Sequence, residues 1–238
     1  MVLSIKTTAK CQNRCSFCPV VHWMDAKKGW ETSLQNIKDL IKYSKFSDYT
    51  FKRIIFSGGE PLLWKHLLVA AKLIRESGIT VDTVAYTNAL AVNKDNMAWF
   101  KSICDAIDGI RISKYENNHE NIDLILKENI HNVKIVDRPE YYEVSDKPIP
   151  KSLPADCGCP AFGMVGDTIT LCSFQDHMIY YQGWNPEDFR DQETKLAEYY
   201  LDKFEELNPF TRKMCAFCYG NYKTRKHLKK YNQKGGLK

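Results

Sequence analysis

Lys52-Arg53-Ile54-Ile55-Phe56-Ser57-Gly58-Gly59-Glu60-Pro61-Leu62-Leu63 decides the fold of this 238-residue chain. Its first half has the β-branched and aromatic centre of a strand, and Gly58-Gly59 ends that strand. Residues 63–77 then read as a helix, with Gly78 placed to cap its C-terminus. Strand, glycine turn and helix make one βα unit.

The unit recurs in both directions. Upstream, residues 2–8 alternate like a short strand, and residues 33–45 carry Leu34, Ile37, Leu40 and Ile41 at helical spacing, with Thr32 or Ser33 as the N-cap. Downstream, Val81 to Tyr86 reads as a strand, Asp95 to Ile107 as a helix and Gly109 to Ser113 as a strand. Asn121 to Asn129 follows as a helix and Val133 to Val136 as a strand. Strands alternating with helices imply a parallel sheet. About five such units fit before residue 140, too few for a closed eight-stranded barrel. The expected fold is therefore α/β, a partial, open, parallel (β/α)6-type TIM barrel over residues 1–140.

That pattern breaks at five prolines, 139, 148, 150, 154 and 160. Neither a helix nor a central strand tolerates that density. Residues 141–238 are expected to form a small cysteine-rich β-hairpin and helix module, with a hairpin strand over Gly166 to Phe174 and a helix over Glu187 to Leu207. The chain shows no internal repeat or low-complexity stretch.

Hydrophobic residues make up 44% and charged residues 26%, as in an ordinary globular protein. No apolar run is long enough to span a bilayer, and Met1 to Lys6 lacks the apolar core of a signal peptide. The expected location is the cytoplasm, with no membrane partner. The net charge of +5 hints at an anionic substrate or surface. Much of the excess lies after Lys223 and reads first as a solvated tail, second as a nucleic-acid contact.

Nine cysteines are unusual in a reducing compartment, where they do not read as a disulfide framework. They fall at 11, 15 and 18, then 104, then 157, 159, 172, 215 and 218. Cys104 lies among Phe100, Ile103 and Ile107 and is expected to be a buried apolar residue. Cys11, Cys15 and Cys18 offer three thiolates, whereas full ligation of a [4Fe–4S] cluster takes four. One iron would stay open to a substrate or cofactor. A zinc site completed by Cys215 and Cys218 is the competing reading of the spacing.

Cys11-x3-Cys15-x2-Cys18, with Phe17 before the third cysteine, resembles the signature of the radical S-adenosylmethionine superfamily. Ser57-Gly58-Gly59-Glu60-Pro61 resembles the Gly-Gly-Glu motif of that family, Tyr86-Thr87-Asn88 its later Thr-Asn strand end, and Ile110 to Ser113 its serine-bearing strand. The resemblance covers about the first 140 residues. It implies that an open iron chelates S-adenosylmethionine, whose reductive cleavage gives a 5′-deoxyadenosyl radical that abstracts hydrogen from substrate. It also implies that Gly58 and Gly59 let backbone approach the cofactor, that Glu60 and the adjoining carbonyls receive the methionyl ammonium, and that Thr87, Asn88 and Ser113 meet ribose or carboxylate. An external flavodoxin- or ferredoxin-like donor would supply the electron.

Cys157, Cys159, Cys172, Cys215 and Cys218 resemble the cysteines of a twitch module, the short relative of the SPASM domain. That resemblance implies a second, auxiliary [4Fe–4S] cluster, with one of the five, Cys157 or Cys159, spare. A structural zinc site is the alternative. In architecture the chain resembles the 2-deoxy-scyllo-inosamine dehydrogenase type, which implies oxidation of a small carbohydrate- or cyclitol-like substrate. Peptide modification, for which residues 1–10 leave no room for a leader-binding domain, and nucleotide or nucleic-acid modification are the alternatives. A non-catalytic electron carrier is a further one. The substrate-side candidates are His22, Trp23, Arg111, Lys114, Tyr115 and Arg138, and the candidate bases are Lys114, Tyr115, Asp176 and His177. The aromatics Tyr141, Tyr142, Tyr180, Tyr181 and Trp184 read as packing before they read as base-stacking platforms.

Overall fold

The computed structural model describes residues 2–15, 18, 20–137, 140–142, 161–170, 172–173, 175, 179–180, 183–196 and 230–232. Five parallel strands alternate with helices: β1 (Val2–Thr8), β2 (Arg53–Gly58), β3 (Thr83–Thr87), β4 (Gly109–Ser113) and β5 (Val133–Val136). The helices are α1 (Val21–Ala26), α2 (Leu34–Phe46), α3 (Leu67–Ser77), α4 (Met97–Ala106) and α5 (His119–Lys127). The short strands β6 (Glu140–Tyr142) and β10 (Lys230–Asn232) pair antiparallel in a sheet of their own.

Local chemistry explains the boundaries. Ser33 caps α2 through a capping box, its hydroxyl accepting the Asn36 N–H and its own N–H donating to Asn36 Oδ1. Gly78 ends α3 in the left-handed conformation. Pro61 starts a 3₁₀ turn, Pro61–Leu63, so α3 itself begins at Leu67, later than the sequence pattern suggests.

Each strand puts alternate residues on opposite faces. Leu3, Ile5, Ile54, Phe56, Ala85, Ile110 and Ile112 form one buried cluster with Ile37, Leu40, Leu67, Ile74, Phe100, Ile103 and Ile125 from the helices. Cys104 is buried in the same cluster, as expected. The other face of the sheet is more polar and carries Ser4, Lys6, Ser57, Tyr86, Arg111 and Ser113.

Two elements differ from expectation. A strand, β7 (Ala161–Val165), lies just past the proline-rich stretch and pairs in parallel with β1, giving six parallel strands side by side. Its antiparallel neighbour β8 (Thr168–Thr170) starts only after a two-residue turn at Gly166-Asp167, with Gly166 at φ +61°. The expected helix from Glu187 is instead a 3₁₀ turn, Pro186–Gln192, followed by β9 (Glu193–Lys195). Glu193 to Lys195 pair with β8, and Leu196 N–H reaches the Asp167 carbonyl at 2.8 Å. The open edge of β8 therefore claims backbone that local propensity would make helical. The rest of that expected helix lies outside the described residues. Strand order is β5-β4-β3-β2-β1-β7-β8-β9, and among the described residues no pairing joins β5 to β9. Among the described residues no helix is long and apolar enough to cross a membrane.

Candidate active site

Parallel strands end at one edge, so the residues following β1 to β4 gather there. The loop carrying Cys11, Cys15 and Cys18 leaves β1 at this edge and is closed at its base. Ala9 N–H donates to the Trp30 carbonyl and Thr32 N–H to the Thr7 carbonyl, both at 2.9 Å. Lys10 pairs with Glu31 at 2.8 Å, and Trp64 Nε1 donates to the Thr32 carbonyl. Trp23, Met24 and Ala9 form a small core under the loop, where Trp30 meets Trp23 edge to face.

Cys11, Cys15 and Cys18 are partly exposed and carry free thiols. Burial is the main reason all three resist ionisation: Cys11 is raised, Cys15 is pushed up to about 11 and Cys18 to about 12. Each developing thiolate repels the next, which raises Cys15 and Cys18 further. Opposing this, the backbone of Asn13 hydrogen-bonds Cys11, and the backbone at Val20 and Val21 does the same for Cys18. Among the described residues no three His, Cys, Asp or Glu side chains are close enough to hold a single metal ion.

Gly58 and Gly59 dock this loop onto β2. Gly59 N–H donates to the Thr8 carbonyl and Glu60 N–H to the Lys10 carbonyl, both at 2.7 Å. A Cβ on Gly59 would lie 2.2 Å from the Lys10 carbonyl oxygen, and one on Gly58, at φ +112°, would lie 2.9 Å from that of Thr8. The glycine pair thus serves backbone approach, and the backbone approached is that of the cysteine loop.

Glu60 is 2% exposed. Its Oε1 accepts the Thr87 hydroxyl at 2.5 Å and Leu62 N–H at 3.0 Å, and its Oε2 accepts Asn88 N–H at 2.7 Å. Burial outweighs these three bonds and raises its carboxyl to about 7. Thr87 also accepts Ala89 N–H, so its hydroxyl is engaged on both sides. Asn88 turns toward the cysteines: its Nδ2 lies 3.7 Å from Cys11 Sγ and 3.4 Å from Gln12 Oε1. The structure therefore brings Cys11, Gly58, Gly59, Glu60, Thr87 and Asn88 together.

Ser113 ends β4, and its carbonyl is held by Asn118 Nδ2 at 2.8 Å. The same amide reaches the Asn88 carbonyl at 2.7 Å, so fully buried Asn118 ties the ends of β3 and β4. Asn117 Nδ2 donates to Asn13 Oδ1 at 2.8 Å, linking this region to the cysteine loop. Sequence reasoning missed Asn13, Asn117 and Asn118. Nothing in local periodicity marks a loop asparagine as a clamp, although side chains of this type suit such backbone bonds.

Of the substrate-side candidates, Trp23 is fully buried in the core under the loop, because its ring packs with Ala9, Met24 and Trp30. Lys114 pairs with Asp137 at 2.9 Å, and Arg111 stands on β4 beside the register position of Tyr86. His22 is an exposed residue of α1, and Tyr115 precedes the 3₁₀ turn Glu116–Asn118. Tyr180 and Trp184 are half-buried; Trp184 stacks on Phe189, and Lys27 lies over the Tyr180 ring. Arg138, Asp176, His177, Tyr181, Phe17 and the side chains of Tyr141 and Tyr142 lie outside the described residues. So do Cys157, Cys159, Cys215 and Cys218. Cys172 follows β8, partly exposed, with its carbonyl accepting the Thr170 hydroxyl and Gln175 N–H.

Residues 5–113 match the model of the Radical SAM superfamily. The fold is similar to that of BtrN in complex with AdoMet and 2-DOIA, with a TM-score of 0.61 and 17% identity over 90% of this chain and 86% of that one. It is also similar to BtrN in an open conformation, with a TM-score of 0.56 and 16% identity over 91% and 85%. The third likeness is to anSMEcpe with bound AdoMet and Cp18Cys peptide, with a TM-score of 0.51 and 10% identity over 94% and 85%. No curated protein matches the sequence.

Proposed function

We propose that this chain uses a [4Fe–4S] cluster held by Cys11, Cys15 and Cys18 to cleave S-adenosylmethionine and remove a hydrogen atom from a small polar substrate. The net reaction is a dehydrogenase-type oxidation of a carbohydrate- or cyclitol-like metabolite. One observation carries the reading: three thiols on a base-closed loop, docked by Gly58-Gly59 at the C-terminal edge of a parallel sheet, inside the stretch that matches the Radical SAM superfamily. Bound there, the cluster supplies an electron and an iron without a protein ligand, and with S-adenosylmethionine it provides a 5′-deoxyadenosyl radical.

The donor set fits that group. Three thiols suit a cluster with one open iron, and a cluster does not require them to converge on one ion. The amide donors around Cys11 and Cys18 favour the thiolate form, which is the ligating form. Iron loading then releases protons from thiols that burial holds protonated. Asn88 and Ser113 would meet S-adenosylmethionine, whereas Glu60, whose oxygens are taken up internally, would hold Asn88 and Thr87 in place. Cys172, Cys215, Cys218 and one of Cys157 and Cys159 would hold a second cluster, which would take up the substrate electron. A soluble one-electron donor reduces the first.

The small molecule 2-DOIA in the BtrN structure supports the metabolite reading. The peptide in the anSMEcpe structure supports a second one, modification of a peptide. The test is anaerobic iron and sulfide content together with dithionite-driven 5′-deoxyadenosine formation. About eight irons per chain with cleavage supports both clusters, and about four supports the first alone. Cys15→Ala is expected to abolish cleavage. No iron and no cleavage in the parent would sink the proposal.

A further inference from the structure

Asn88 is the most constrained polar residue at the edge of the sheet. Its N–H is held by Glu60 Oε2 at 2.7 Å and its carbonyl by Asn118 Nδ2 at 2.7 Å. Its side-chain oxygen accepts Leu90 N–H at 2.9 Å. That last bond fixes which way the amide faces, because a flipped amide would set Nδ2 against the Leu90 N–H. Nδ2 must then point at Cys11 Sγ, 3.7 Å away, with its second hydrogen toward Gln12 Oε1 at 3.4 Å. Backbone and side chain are both over-determined, and the one consequence of that rigidity is an N–H aimed at a cysteine sulfur. Asn88 is 5% exposed, so little water competes for that contact.

We infer that Asn88 sets the reduction potential of the first cluster by donating a hydrogen bond to the Cys11 thiolate. The inference rests on the proposed cluster at Cys11, Cys15 and Cys18. A donor at a ligating sulfur withdraws negative charge from it, which favours the electron-richer reduced state, and such bonds are among the levers that set these potentials. The Glu60 carboxyl holds this amide in place through the Asn88 N–H. Glu60 is a positioning residue in this arrangement. It acts through Asn88, whose N–H it holds at 2.7 Å.

The experiment is an anaerobic redox titration of the [4Fe–4S]⁺ electron paramagnetic resonance signal in the full chain, with iron content measured on each sample. Asn88→Leu removes the donor and keeps the volume. It should hold the parent's iron content at the first site while its ratio of reduced to oxidised cluster at a fixed potential falls about tenfold, about 59 mV for a one-electron couple. Asn88→Asp replaces the donor with a negative charge and should move the midpoint further negative still. This second variant decides the matter if Asn88→Leu fails to load iron. Asn118→Ala, which frees the Asn88 carbonyl, should produce a smaller shift of the same sign. A midpoint equal to or above that of the parent in an iron-replete Asn88 variant would overturn the inference and leave the cluster assignment standing. A parent with no iron–sulfur signal would overturn both.

Discussion

The two edges of the parallel sheet use similar residues to different ends. At the N-terminal edge the polar groups close on one another. Arg53 forks onto Asp82, and Asp108 accepts both the N–H and the hydroxyl of Thr83. At the C-terminal edge the polar groups are buried more deeply and are held short of full compensation. Glu60 has three donors and still titrates near 7, and three thiols stand together in a neutral state. One edge joins strands; the other keeps groups poised that water would otherwise relax.

Altering a single atom should break that contrast most sharply at Gly59. In Gly59→Ala the added Cβ meets the Lys10 carbonyl at 2.2 Å, where only backbone can yield. The expected cost is about 3 kcal/mol by urea unfolding, with near-complete loss of iron binding. An alanine variant that loads iron as the parent does would mean that the loop is not docked there.

A second test concerns the charge trapped at the C-terminal edge. Glu60 has a folded pKa of about 7, above its ordinary 4.5. The stability linked to its proton is complete below pH 4.5 and is lost as pH rises through 7. Between pH 4.5 and 8 the parent should lose about 3 kcal/mol from this group. Glu60→Gln should lack this component, and parallel stability profiles for the two proteins would contradict the burial argument.

The smallest expected effect lies at the N-terminal edge. Thr83→Val keeps the shape and removes the hydroxyl bond to Asp108. It should cost about 1 kcal/mol and leave 5′-deoxyadenosine formation unchanged. A large loss of cleavage from this substitution would show that the two edges are not separable.

Much of this was legible in the sequence. Leu34, Ile37, Leu40 and Ile41 announce α2, and Ser33 caps it as its residue type suggests. The three cysteines stand out by their spacing, and the glycine pair and Glu60 by their resemblance to a family motif. What the glycines pack against does not show in the sequence. Which backbone they admit depends on Lys10, remote in sequence and adjacent only once β1 and β2 pair. Likewise β7 was hidden beside prolines, since its partner is the first strand of the chain.

The sequence by itself determined the alternation of strand and helix and the caps, because these follow from periods of two and 3.6 residues and from short local signals. Only the tertiary structure decided what each polar group touches. It turned Glu60 inward onto Thr87 and Asn88, and it aimed the Asn88 amide at Cys11. It also made a clamp of Asn118. The physical reason is that burial and hydrogen-bond satisfaction are properties of neighbours in space, and at the end of a parallel sheet those neighbours come from four different strands.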